Sequence, residues 1–143
     1  MTSFVTAPAL RISRLEDRYP SGGYEEDWTV QQFCGDWITT NGGSKGIAKA
    51  KIDFLDAKLI VHAFGAPASA PIDWGPVVAG IFTDGPNSSR IRAFHAFYDF
   101  GFMESYLQAK TEKAVLVVAS FNRFKDQSGR ANYFSREFFH RIA

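Results

Sequence analysis

The chain has 143 residues, with 16 Lys and Arg against 15 Asp and Glu, and it is 45% apolar and 15% aromatic, with 14 Phe. That composition fits one globular domain that buries roughly two-thirds of its unfolded surface, and it excludes a disordered chain. Residues 1–72 carry 7 basic and 8 acidic side chains and residues 73–143 carry 9 and 7, so neither half is a basic field and nucleic acid is not an expected partner.

Cys34 is the single cysteine, which rules out an intrachain disulfide, and its place beside Phe33 reads as a small buried thiol. No apolar signal core follows Met1 and no run of 18 apolar residues occurs. A cytosolic protein without a membrane segment is the expectation.

Residues 1–30 read as an irregular N-terminal arm. Phe4 to Ile12 is a short strand candidate broken by Pro8, and Pro20-Ser-Gly-Gly23 is a turn cluster. Regular patterning starts at Gln32–Thr40, a strand ended by the hairpin signal Asn41-Gly-Gly43. Ile47–Phe54 alternates, Asp56-Ala-Lys58 turns, and Lys58–Gly65 is an apolar strand. Ala66–Gly75, with Pro67, Pro71 and Trp74, reads as the longest loop. Val77–Thr83 is a strand, and Asp84–Ser89 a turn. Arg92–Lys110 is too long for one strand, so Gly101 is either a tight turn or a bulge. Thr111-Glu-Lys113 turns into Ala114–Phe124, and Asp126-Gln-Ser-Gly129 turns into the last strand, Ala131–Ile142.

These are about eight antiparallel strands with short connections and no helical period of useful length. Sequential hairpins favour an up-and-down meander, and closing it removes the exposed edges. The fold class expected over 31–143 is therefore all-β, a small closed antiparallel up-and-down barrel with an aromatic interior. A barrel of about eight strands either fills with side chains or holds one small ligand.

Phe33-Cys-Gly35-Asp-Trp37 on the first strand, with Arg141 ending the last, resembles the calycin arrangement of lipocalins and fatty-acid-binding proteins. The resemblance implies structural roles for three residues. Gly35 and Trp37 would lie near a closed barrel end, and Arg141 would pack across the Trp ring, a cation–π contact of about 0.5–2 kcal/mol. It also implies a cavity for a ligand. Two departures narrow it. The chain lacks the disulfides and signal peptide of secreted lipocalins, and Arg136-Glu-Phe138 stands near where fatty-acid-binding proteins hold a carboxylate with Arg-x-Tyr.

Among residues that carry chemistry, His62, His95 and His140 each sit in a strand pattern, but no close ligand spacing joins any two, so no metal or other cofactor is expected. His95 is the best acid–base candidate, because Phe94, Phe97 and Tyr98 would desolvate it. His95, Phe97 and Asp99 share one face. If that face is inward, His95, Asp99 and Glu104 form a candidate catalytic group, with Glu104 brought close should Gly101 be a turn. Trp74 is either a cap at a barrel mouth or a core plug. Arg136 requires a partner if inward, such as Glu104, Asp99 or an anionic ligand. The other face of that strand carries Tyr133, Ser135, Glu137 and Phe139, and neither face is cleanly apolar. Trp74, Phe97, Tyr98, Tyr106, Arg136 and His62 complete the candidate ligand-binding set.

Three functions follow. The first is binding of one small, largely apolar molecule in the barrel. The second is a cofactor-independent isomerase, cyclase or lyase using the same pocket on a hydrophobic substrate. The third is an interaction module whose barrel is filled, acting through its outer surface, with a homodimer among its forms.

Overall fold

A computed structural model describes residues 26–143. The strand candidate Phe4–Ile12 and the turn Pro20–Gly23 lie outside the described residues. Eight strands follow a short 3₁₀ turn at Val30–Gln32: β1 Gly35–Thr39, β2 Ile47–Leu55, β3 Lys58–Gly65, β4 Ile72–Thr83, β5 Ile91–Asp99, β6 Met103–Glu112, β7 Val115–Phe124 and β8 Tyr133–Arg141. Each pairs antiparallel with the next, and β8 returns to β1, so the sheet is a closed up-and-down barrel.

Turn chemistry dictates the meander. Asp56-Ala57 and Lys113-Ala114 both have positive φ at two successive residues, the tight hairpin geometry whose twist matches the flanking strands. Gly101 has φ +88°, and Asp99 Oδ1 accepts from its N–H at 2.9 Å, so this residue is a hairpin turn that separates β5 from β6. The stretch read as a loop to Gly75 is shorter, because β4 starts at Ile72. The register of β3 on β4 shifts between His62 and Phe64, and Gly75 (φ +83°) with Pro76 forms that irregularity, which disguised the strand in the sequence.

Alternation sorts the side chains. Trp37, Ala50, Ile52, Leu59, Val61, Ala63, Ala79, Phe94, Ala96, Tyr98, Leu107, Ala109, Leu116, Val118 and Phe139 are buried inside. The aromatic interior expected from composition is only partly realised. Phe82, Phe97, Phe121, Phe134 and Phe138 are exposed, because their positions fall on the opposite parity of their strands. The central void, lined by Ala50, Ile52, Phe94, Leu107, Leu116 and Phe139 among others, measures about 10 Å³ and is wholly apolar. That is at the lower limit for one water, so the barrel waist is filled and dry.

The 3₁₀ turn seals one end. Thr29 caps it by accepting from Gln31 N–H, and Phe33, fully buried, meets Phe94 edge-on with centroids 5.0 Å apart. The buried Gln32 amide donates to the carbonyls of Thr29 and Ile91, each at 2.8 Å, and accepts from Thr111 Oγ1 at 2.7 Å. Gln32→Leu is expected to cost about 2–3 kcal/mol in urea unfolding, because its partners lose their bonds without regaining water. An unchanged midpoint would show that the end stays closed without them.

Candidate functional site

The sealed end is built from Gly35, Trp37 and Arg141. Trp37 is 1% exposed and donates its indole N–H to Phe33 O at 2.8 Å. Arg141, opposite Trp37 in the β1–β8 register, lies 4.6 Å from the ring centroid and donates to Gln32 O at 2.9 Å. Gly35 has φ +132°, and a Cβ there would stand 2.7 Å from Ala143 O and 3.0 Å from Arg141 Nε. Only glycine fits both the backbone and the space. Cys34 is half-buried beside this plug, and burial, followed by Asp53, raises its thiol pKa, which suits a structural thiol.

The opposite end is open, and its inner wall turns polar. On β7 the inward series runs Leu116, Val118, Ser120, Asn122, and on β6 Leu107 gives way to Ser105. On β8 the inward series is Tyr133, Ser135, Glu137, Phe139, since Ser135 pairs with Ser120 and Tyr133 with Asn122. A cleft of about 170 Å³ opens there, with Lys45, Ser120, Asn122 and Ser135 as its polar wall and Ile47, Ile72, Trp74, Met103 and Tyr133 as its apolar one. Ser105 Oγ donates to Asn122 Oδ1 at 2.6 Å, fixing the amide. Ser120 is only 8% exposed, and its hydroxyl has no hydrogen-bond partner among the described residues. Glu137 accepts a hydrogen bond from Ser44 Oγ, which itself accepts from Gly46 N–H at 3.1 Å.

Trp74 belongs to this mouth. Its indole lies flat on Gly65, where a Cβ would come within 2.6 Å of Nε1, and it meets Tyr98 and Phe100 edge-on at 5.3 and 5.0 Å. Half-buried, it both packs on the core and walls the cleft. Tyr98 stands below it. Its hydroxyl accepts from Ala63 N–H (3.0 Å) and donates to Gly75 O (2.8 Å), with Val61 O at 3.2 Å. Those contacts hold the β3–β4 irregularity, and they make Tyr98 a support of the mouth.

Burial raises the Tyr98 pKa, partly offset by the Ala63 N–H. An unfolded tyrosine ionises near about pH 10. The unfolded state therefore releases this proton first. Its contribution to stability is intact below about pH 10 and is lost as pH rises through the folded pKa. Tyr98→Phe is expected to cost about 1–3 kcal/mol at pH 7, where Ala63 N–H loses its partner, and to flatten the alkaline decline. Urea midpoints from pH 7 to 11 check both; a parallel decline in the variant would assign the alkaline loss elsewhere.

The remaining expected site residues lie outside the barrel. β5 buries Phe94, Ala96 and Tyr98, so His95, Phe97 and Asp99 face outward, the reverse of the inward placement on which their grouping depended. Gly101 does turn the chain, and Glu104 pairs with Asp99 in register. Both bind Lys125, at 2.9 Å from Asp99 and 3.4 Å from Glu104, and Arg123 lies 3.9 Å from Glu104. Asp99 is held below the usual carboxylate range by Lys125, as an ion-paired surface group is. His95 stacks toward Tyr106 with centroids 6.4 Å apart, and the Tyr106 hydroxyl donates to Glu104 Oε1 at 3.3 Å, so His95 meets Glu104 only through that ring. Arg136 also points outward, its guanidinium 5.5 Å from the Phe138 ring, and no carboxylate pairs with it among the described residues. His62 lies on the outer face of β3, its Nε2 2.6 Å from Asp73 and its ring stacked on Phe64 at 4.6 Å. Among the described residues no group of three or more His, Cys, Asp or Glu could hold a metal ion, and no helix is long and apolar enough to cross a membrane.

Ser105, Ser120, Asn122, Ser135 and Glu137 thus replace the expected polar set at the barrel's inner surface. The signal for them was the β7 run itself, where alternate positions change from Leu116 and Val118 to Ser120 and Asn122. A scan against protein-family models and searches of curated proteins and solved structures find no match to this chain.

Proposed function

We propose that this chain is a calycin-like barrel that binds one small amphipathic molecule at its open end, between Trp74 and the Ser120–Asn122–Ser135 wall. The observation that carries the reading is Ser120, a buried hydroxyl without a hydrogen-bond partner among the described residues, on the wall of a cleft of about 170 Å³. Buried polar groups are almost always bonded to protein, water or ligand, so this one marks a place for a hydrogen-bonding guest. The waist is filled, so the ligand is smaller than the one a hollow barrel would hold, and it combines an apolar body with a polar head. Gly35, Trp37 and Arg141 support the calycin-like kinship through the sealed end. The carrier reading is preferred to the isomerase, cyclase or lyase one because His95, Asp99 and Glu104 do not line the cleft. A cytosolic location belongs to the same proposal and rests on the lone Cys34.

Native mass spectrometry of the purified protein tests it, followed by a fluorescence titration with a panel of small amphipathic alcohols, amides and phenols. Saturable quenching that disappears as a signal in Trp74→Phe is expected. An empty protein together with no saturable response from the whole panel would overturn the reading.

A further inference from the structure

The outer surface of β5–β8 carries a feature that the mouth does not explain. Phe97 pairs with Tyr106, Tyr106 with Phe121, and Phe121 with Phe134, so four aromatic residues form one row across four neighbouring strands. The rings touch in two pairs, with centroids 4.8 Å apart for Phe97 and Tyr106 and 5.0 Å for Phe121 and Phe134. Exposure of Phe97, Phe121, Phe134 and the neighbouring Phe138 runs from 38% to 56%. At about 200 Å² per ring side chain, these four alone present about 350 Å² of apolar surface. Tyr106, Val117 and Ala119 on the same face extend it.

On β2 to β4 the outer positions mix charge with single apolar residues: Lys49, Lys51, Asp53 and Lys58 alternate with exposed Leu55, Val78 and Phe82. A contiguous aromatic row, unlike scattered single side chains, is the pattern of a surface that is covered in use.

We propose that the β5–β8 face is the contact surface for a second copy of this chain, related by a two-fold axis. Three observations favour that occupant. First, a standard interface takes about 800 Å² from each partner, slightly more than half of it apolar, and the row with its flanking apolar residues supplies about that apolar share. Second, a two-fold contact needs projections and a recess on the same surface. The row supplies the projections, and from it to the rim of the mouth runs an open groove of about 370 Å³, with Tyr106, Phe121, Tyr133 and Phe134 as its rings and Asn122, Arg123 and Asn132 as its polar edge, roomy enough for a ring from the other copy. Third, most of the ionic groups bordering the row are paired within the chain, Lys125 with Asp99 and Glu104 and Lys110 with Glu112. Arg136 is the exception among the described residues, and its guanidinium lies over the Phe138 ring, where an aromatic side chain of the second copy can cover it.

Sedimentation equilibrium of the full chain, from about 1 to 100 µM, tests this. The wild type is expected at twice the monomer mass, and Phe121→Lys and Phe134→Lys are each expected to weaken the dimer at least about 30-fold. Both side chains point to solvent, so thermal unfolding of the variants should stay close to wild type at low concentration and separates a lost contact from a lost fold. A wild-type monomer at 100 µM overturns the proposal and leaves the patch to another occupant, such as the first 25 residues or a different protein. A dimer indifferent to both substitutions overturns it equally, by placing the contact elsewhere. The groove adjoins the mouth through Asn122 and Tyr133, so the Trp74 fluorescence titration is repeated on the two Lys variants to read ligand uptake separately from dimerisation.

Discussion

Trp37→Ala is expected to remove most of the barrel's stability, about 3–5 kcal/mol by urea unfolding at pH 7. Three losses combine at this position. The indole is almost fully buried, and its removal leaves a void at the sealed end, next to a waist whose own gap is only about 10 Å³ and whose packed side chains have little room to shift into it. Phe33 O loses its donor, and Arg141 loses the ring on which it lies at 4.6 Å. Small domains have only about 5–15 kcal/mol in total, so the variant should populate unfolded chain near body temperature. Trp37→Phe separates these terms, because it keeps most of the packing and the ring face but removes the indole N–H. A cost for Trp37→Ala below about 1.5 kcal/mol would show that the sealed end is not the anchor of the core.

Ser120→Val should move stability and binding in opposite directions. The hydroxyl has no partner among the described residues, so Val, which puts one methyl group in its place and a second toward the cleft, removes a desolvation cost and sacrifices no internal hydrogen bond seen there. A gain of about 1 kcal/mol in the ligand-free protein is expected. The same change removes a polar contact for a bound guest and should weaken uptake about tenfold, the value of one ordinary hydrogen bond. Asn122→Leu differs, because Ser105 Oγ loses its acceptor at 2.6 Å and the protein is destabilised as well. A Ser120→Val protein that is both less stable and unchanged in binding would mean that the hydroxyl serves the fold. The opposed signs are those of a residue kept for function at the expense of packing.

Topology was legible because the turns are strong and local. Asn41-Gly-Gly43, Asp56-Ala57 and the Asp126–Gly129 cluster punctuate the chain wherever a strand must reverse, and the period of two does the rest. Facing was not legible from β5 or β8, where both parities carry rings: Phe94 and Tyr98 against Phe97, Phe139 against Phe134 and Phe138. A period of two sorts side chains into two sets without saying which set is inward. His95, Asp99 and Arg136 were therefore grouped with the cavity although they face water. β7 was the better guide, since Leu116 and Val118 identify its inner parity and so reveal Ser120 and Asn122. β4 was hidden by Gly75 and Pro76, residues that strands ordinarily exclude and that a register irregularity tolerates.

The joint between β1 and β8 bears on the order in which this molecule assembles. Every other strand pair is a hairpin between sequence neighbours and can zip on its own, whereas Trp37↔Arg141, Ile38↔His140 and Thr39↔Phe139 join residues from opposite ends of the described chain. Such a contact bears the largest loop-closure entropy, so it is expected to form after the rate-limiting step, with the hairpins already in place. Arg141→Ala should then leave the refolding arm of the chevron nearly unchanged and speed unfolding by almost the whole of its destabilisation, about 1–3 kcal/mol. The lifetime of the folded barrel, more than the speed of its formation, would be governed by one arginine laid across one indole. Stopped-flow refolding that slows in proportion to the stability lost would instead place ring closure inside the folding nucleus.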